Sequence, residues 1–337
     1  MSLSQTPSHM KLKQILLAAL AATSLCANAA SSIQLGNYSV SGIYSLDILG
    51  GTTGGVSGLE ASAVAYARDR GTLFFVGDEG TGVVEISKTG QTLGTMSFDW
   101  TGTGSTKHDT EGLTYLGNGT LVVGEERLYD AYKFNYNQGG TANLTNSSVH
   151  VVTGYPNNNS GMEGISYDPR NGSFVAVKQE SPENIFAGSL SFAAGQTGTS
   201  TMTQLFNPAL MGLSTLSDVQ TLSPVDSFAG TAAADNLLVL SLGSKMLIEV
   251  NRQGQILSMF DLSTVVPNNA IEGVTVDEKG VIYLVAEQDQ TAGAVAGAKS
   301  QLIVLTAAVP EPETYALLLA GLGLIGAAVK RRKSQQA

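Results

Sequence analysis

The sequence predicts an all-β chain folded as a β-propeller of five four-stranded blades, closed by a strand from its N-terminal side. Three observations predict it. Glycine supplies 39 of 337 residues while charged residues are only 14%, the profile of a β-protein with many tight turns. A unit of about fifty residues recurs five times between positions 50 and 310, the length of one four-stranded blade. Within each unit, two short apolar runs flank a glycine turn, the pattern of a β-hairpin with both faces covered.

The units can be taken in order. The first reads Gly58-Leu59-Glu60-Ala61-Ser62, a turn at Asp69-Arg70-Gly71, then Thr72-Leu73-Phe74-Phe75-Val76 and Asp78-Glu79. The second reads Thr110-Glu111-Gly112-Leu113-Thr114-Tyr115, a turn at Gly117-Asn118-Gly119, then Thr120 to Val123 and Glu125-Glu126. The third reads Met162-Glu163-Gly164-Ile165-Ser166-Tyr167, a turn ending at Gly172, then Ser173 to Val177 and Glu180. A degenerate fourth begins at Ser217-Asp218-Val219 and has its second strand at Leu237 to Ser241. The fifth reads Ile271-Glu272-Gly273-Val274-Thr275-Val276, a turn ending at Gly280, then Val281 to Val285 and Glu287. Its first acids, Glu60, Glu111, Glu163, Asp218 and Glu272, are spaced by 51, 52, 55 and 54 residues. Third strands follow at Val83–Ile86, Ala131–Phe134, Met246–Val250 and Gln301–Leu305, and fourth strands at Thr92–Phe98 and Ile256–Leu262. The last unit lacks a fourth strand, and Tyr38 to Leu49 is a spare one; pairing the two closes the ring and removes a sheet edge. The weakly patterned region 181–236 leaves room for a sixth blade.

Charge narrows the partners. The 18 basic and 28 acidic residues, less six basic and two acidic ones in the terminal segments, leave 12 and 26 in residues 31–309, a net of −14. Such a surface repels phosphate backbones, which excludes nucleic acid, and attracts divalent cations or basic ligands.

The two ends are addresses. Lys11 and Lys13, an apolar run from Ile15 to Cys26 and Ala27-Asn28-Ala29 form a signal peptide over residues 1–30, so the chain uses the export machinery. Leu25 precedes Cys26 where lipidation needs a small residue, and the cleaved chain keeps no cysteine. A propeller domain then spans 31–308. Residues 309–337 hold Pro310-Glu311-Pro312, an apolar stretch from Tyr315 to Val329 and the basic tail Lys330-Arg331-Arg332-Lys333. That stretch is short for a membrane span, for which about 20 residues are expected. The tripeptide, short hydrophobic helix and basic tail together resemble a PEP-CTERM sorting signal. The resemblance implies transient anchoring in the inner membrane of a Gram-negative bacterium, an exosortase as partner, and transfer to the periplasm, cell surface or extracellular matrix. Gly321 to Gly326 spells GxGxxG, but it follows no strand and is no dinucleotide site.

The repeated Glu-Gly-(Leu/Ile/Val)-x-(Tyr/Val), the second strand ending in Glu, and the Ile248-Glu249-Val250 strand resemble the SdiA-regulated (YjiK-like) family of exported β-propellers over roughly residues 55–306. The resemblance implies the fold and brings no established catalytic motif. A more distant likeness runs to calcium-dependent phytase-like and lactonase-type propellers.

In a propeller the first strand of each blade lines the axial channel, so the five first acids are expected at one mouth. Carboxylates 6–8 Å apart repel by about 2 kcal/mol per pair at an effective dielectric near 20. Such a ring persists if acids protonate, accept backbone N–H groups of the next blade, or share a cation. A hard cation with oxygen ligands suits them, Ca²⁺ above all, with Glu111, Glu163 and Glu272 the candidate ligands. The second acids, Glu79, Glu126, Glu180 and Glu287, face the channel one layer out or pair with Arg127 and Lys178. His108 beside Asp109 is the one candidate acid–base pair. There is no G-x-S-x-G, H-E-x-x-H, P-loop or EF-hand sequence. Three functions stay open: a surface or matrix propeller binding a polysaccharide or protein partner, with or without Ca²⁺; a Ca²⁺-dependent hydrolase of phosphoester, ester or lactone substrates; and a passive matrix scaffold.

Overall fold

The computed structural model describes residues 32–46, 52–53, 56–57, 60–78, 80–153, 161–287, 300–308, 321–322 and 325. The signal peptide, Glu79, Pro310 to Pro312 and nearly all of the C-terminal apolar stretch lie outside the described residues. The chain divides into two compact units, Met1–Thr306 and Ala307–Ala337. Among the described residues no helix is long and apolar enough to cross a membrane.

Unit one is a ring of five antiparallel blades. Their inner strands are Ala61–Ala67, Thr110–Gly117, Met162–Asp168, Asp218–Thr221 and Ile271–Val276, and each is followed outward by its second and third strands. Each inner strand packs on the next, and the fifth packs on the first. Five wedges therefore complete the circle.

Burial on both faces explains the unbroken apolar runs. Successive side chains of a strand point to opposite faces, so Phe74 enters the core between blades one and two while Phe75 enters the core between blades five and one. The remaining three cores fill the gaps between blades two and three, three and four, and four and five. A buried phenylalanine contributes about 2–3 kcal/mol, and truncation at either position loosens a different pair of blades.

The region 181–236 holds no further blade. It contains the third strand Asn184–Gly188 and short outer strand Thr203–Gln204 of blade three, a small hairpin (Leu190–Ser191 with Thr199–Ser200), and 3₁₀ turns at Pro208–Met211, Asp226–Phe228 and Ala232–Asp235. Blade two ends in only two paired residues, Ser148–Val149, because Thr141–Asn143 instead adds in parallel to the outer strand of blade one at Ser97–Asp99.

The N-terminal segment closes the ring. Tyr38–Ser45 pairs with Gln301–Ala307 as the fourth strand of blade five. Its Tyr38 hydroxyl donates to the Gly280 carbonyl at 2.7 Å, and Leu46 N–H donates to the Ser300 carbonyl at 3.1 Å. Ahead of it the chain is held by the buried Glu249 carboxylate of blade four. This group accepts Ile33 N–H at 3.0 Å, Asn236 Nδ2 at 2.8 Å, Ser258 Oγ at 2.9 Å and the Ser32 hydroxyl. Removing a buried acceptor that serves several donors leaves each donor unsatisfied. Glu249→Ala is therefore expected to cost about 3 kcal/mol or more and to expose residues 32–46 to limited proteolysis. Unchanged melting and an intact N-terminal segment would contradict the closing role.

Candidate functional site

The pairing register fixes which side chains reach the channel. In blades two, three and five the ladder between the first two strands skips one residue, so Glu111, Glu163 and Glu272 are β-bulge residues. A bulge adds an unpaired residue and re-aims its side chain. In blade one the skipped residue is Ser62, not Glu60. Blade four has no bulge, and its Asp218 pairs with Leu240 just as Gly112 pairs with Gly124 and Gly164 with Val177. The ring at this level thus reads Ser62, Glu111, Glu163, Ser217 and Glu272. The two serines do the same work: Ser62 Oγ accepts Asp78 N–H at 3.2 Å, and Ser217 Oγ accepts Leu242 N–H at 3.0 Å.

The glycines after the bulges of blades three and five have a steric cause. A Cβ on Gly164 would lie 2.4 Å from Asp218 Oδ1, and one on Gly273 would lie 2.9 Å from the Ala63 backbone. Neighbouring inner strands approach too closely there for any side chain.

The second level differs by one residue from the sequence reading in blades one and three, and falls on the expected residues in blades two and five. Asp78 N–H donates to the Glu60 carbonyl, Glu126 N–H to Asp109, Gln179 N–H to Gly161 and Glu287 N–H to Ala270. The equivalent positions are therefore Asp78, Glu126, Gln179 and Glu287, and Glu60 is the counterpart of Asp109. Asp78 is the residue that motif reading passed over in favour of Glu79. Glu180 lies one residue beyond this level, with its carbonyl accepting the Lys178 ammonium.

What converges is an acidic cluster centred on blade two. Carboxylate oxygens of Asp78, Asp109 and Glu111 lie within 4.8 Å of one another. Burial pushes the Glu111 carboxyl well above the usual range, and Glu163, Glu272, Asp109 and Asp78 add to it. Burial also raises Glu163, reinforced by a shared hydrogen bond with Glu126. Glu272 is raised by burial and then by Glu287, its own hydrogen-bonded carboxyl partner. Asp109 is raised by burial and by Glu126, opposed by its hydrogen bond with Asp78 and by Arg127. The Arg127 Nε donates to Asp109 Oδ2 at 2.6 Å, and Gly161 N–H donates to Glu126 Oε1 at 3.1 Å. Two ionised carboxylates at such separations repel by about 3 kcal/mol at an effective dielectric near 20. Protons shared between carboxyls relieve that repulsion, and so would a divalent cation.

The other sequence candidates fall elsewhere. Asp218 spends its carboxylate between blades: Oδ2 accepts Val274 N–H and Oδ1 accepts Val219 N–H, each at 2.7 Å. In blades two, three and five this inter-blade role falls to hydroxyls. Thr114 accepts Tyr167 N–H at 3.0 Å, Ser166 accepts Thr221 N–H at 3.0 Å, and Thr275 accepts Tyr66 N–H at 3.1 Å. The His108 ring stacks on Trp100, centroids 4.8 Å apart, while Asp109 turns to Arg127. No hydrogen bond joins the two side chains among the described residues. His150, isolated in sequence, has its Nδ1 2.6 Å from the buried Asp130 carboxylate.

Solved structures to which the chain is similar include glutaminyl cyclase from Myxococcus xanthus, at 11% identity over 80% of this chain and 95% of that one, TM-score 0.49. Another is a luciferin-regenerating enzyme, at 11% identity over 79% of this chain and 95% of that one, TM-score 0.45. Residues 308–333 match the PEP-CTERM protein-sorting motif, a signal for export in the Gram-negative envelope that implies exosortase-type processing. Residues 43–290, from the closing strand to beyond the second strand of blade five, match the sequence pattern named SdiA-regulated, and the chain belongs to that family.

Proposed function

We propose that this exported propeller binds a divalent cation, Ca²⁺ by preference, at the acidic mouth of its channel and through it an oxygen-rich ligand or partner in the cell envelope. The observation that carries this reading is the convergence of Asp78, Asp109 and Glu111 within 4.8 Å at a desolvated position. The donors are all carboxylate oxygens, a set that suits Ca²⁺ better than zinc or copper. Asp78, Asp109 and Glu111 would hold the ion, with Glu163 and Glu272 beside them. The cation supplies positive charge that an anionic or polyhydroxy ligand can share. Arg127 keeps Asp109 oriented, and the carboxyl pairs Glu163–Glu126 and Glu272–Glu287 hold the protons that a metal-free site needs.

Ca²⁺ binding to the folded protein alone raises its stability by about 2.7 kcal/mol at a hundredfold excess over Kd. A melt in millimolar Ca²⁺ should therefore rise by several degrees over one in EDTA, with Mg²⁺ a weaker substitute. Glu111→Gln should abolish the rise; an equal rise in that variant, or none in the wild type, would remove the ion from this site.

The raised carboxyls also set a pH dependence. Glu111, Glu163 and Glu272 have folded-state values above the ordinary 4.5. The stability they contribute is complete below that value and is lost as pH rises through the folded values. In EDTA, Glu163→Gln should therefore lose less stability than the wild type between about pH 5 and pH 8. Ca²⁺ should shrink the wild-type loss. Parallel urea midpoints for both proteins across that range would contradict the assignment.

Sorting has its own test. With Pro310, Glu311 and Pro312 replaced by alanine, the protein should accumulate in the inner-membrane fraction. Unaltered release would count against exosortase handling.

A further inference from the structure

The inner strands also end together, at the channel mouth opposite the acids. Tyr66, Tyr115 and Tyr167 stand four residues beyond Ser62, Glu111 and Glu163, about 13 Å further along the strands. The three tyrosines line a cavity of 490 Å³, within the usual range for small-molecule sites. Two carboxylates share its wall, Asp69 and Glu278.

These groups form a repeated pair. The Tyr115 hydroxyl of blade two hydrogen-bonds Asp69 of blade one and accepts Gly119 N–H at 2.7 Å; burial first, then Asp69, pushes it up to about 12. Tyr66 of blade one hydrogen-bonds Glu278 of blade five in the same way, and burial with that bond raises it. The second carboxylate oxygen, Glu278 Oε2, is buried without any hydrogen-bond partner. A buried acceptor left unpaired is costly and calls for a donor.

The cations at the cavity, Arg68 in its wall and Lys88 beside it, are already engaged. Arg68 pairs with Asp226 at 2.9 Å, and Lys88 pairs with Asp277 at 2.9 Å while its ammonium lies 4.6 Å from the Tyr66 ring centroid. Neither Asp69 nor Glu278 forms an ion pair among the described residues. The wall is therefore net negative, with two carboxylates that have no cationic partner among the described residues, and presents aromatic rings, one of which already faces an ammonium. Rings and carboxylates together select organic cations over neutral molecules.

We propose that this cavity binds a small organic ammonium, a primary amine on a compact ring-sized frame. Its ammonium pairs with the Asp69 and Glu278 carboxylates, and its frame rests against Tyr66, Tyr115 and Tyr167. The site shares no residue with the acidic mouth and stands whether or not Ca²⁺ binds there.

Calorimetric titration of the full-length protein with two matched pairs tests this: cyclohexylamine against cyclohexanol, and glucosamine against glucose. The amines should bind at least about tenfold more tightly than their neutral partners. Glu278→Gln should erase that preference with the far-ultraviolet dichroism unchanged, and Asp69→Asn, the check should the first variant misfold, should reduce it. Tyr167→Ala should weaken all binding. The proposal is overturned if the amines do not bind at about 10 mM, if neutral partners bind equally well, or if a folded Glu278→Gln or Asp69→Asn variant keeps the full preference.

Discussion

Everything in this protein depends on the inner strands packing side by side around one axis. That contact is too close for a Cβ at Gly164 or Gly273, and it is fastened by single hydrogen bonds from one blade to the next. Three of these fasteners are hydroxyls at one repeat position, Thr114, Ser166 and Thr275. Asp218 is the fourth, a carboxylate where blades two, three and five have glycine. With the strands so placed, five apolar cores fall between the blades. The Glu249 clamp and the Tyr38–Ser45 strand then prevent the circle from opening where the chain begins and ends.

Closure makes the acidic mouth possible. Carboxyls grouped as Asp78, Asp109 and Glu111 are would repel one another apart if the strands beneath them could splay. The interlocked ring forbids that movement, so the repulsion is resolved by protonation or by a cation instead. Blade four shows the complementary economy: it offers Ser217 and Leu242 at the two acidic levels, and the carboxylate of its inner strand, Asp218, serves the backbone of blade five. The cluster is consequently one-sided, richest on blade two, where Glu111 stands at the first level and Asp109 and Glu126 face each other at the second.

Most of this architecture was legible in the sequence, because a propeller repeats its turns as well as its apolar runs. The hairpin glycines Gly71, Gly119, Gly172 and Gly280 all adopt positive φ, and each precedes its second strand. The closing strand was legible as a spare alternating segment before the first unit. The two-residue outer strand Ser148–Val149 was not, since it has too few residues to show a period. Nor was the bulge: nothing in Glu-Gly marks an extra residue, so matching acids by letter aligned Glu60 with Glu111, whereas the ladder aligns Ser62. Counting from the turn glycine would have recovered the second level, because Asp78, Glu126, Gln179 and Glu287 each lie seven residues beyond it.

The same registration explains why the two mouths differ chemically. A strand that bulges at its entrance places one side chain toward the axis there, and the residue four positions on lies near its exit. The repeat therefore writes two rings at once, acids at one level and tyrosines at the other, and neither can shift without the other. Tyr66, Tyr115 and Tyr167 look like packing residues in a linear reading, and in part they are, since Tyr66 stacks on Tyr283 and Tyr115 on Phe74. The hydroxyls of Tyr66 and Tyr115 end at carboxylates of the preceding blade, so these two blade junctions are electrostatically coupled as the acidic mouth is. Val276 breaks it in blade five and Thr221 in blade four, which leaves the aromatic wall on blades one to three and gives the cavity a polar side at Gln220 and Thr275. Fivefold repetition builds the frame, and the departures from it make each mouth a site with a direction.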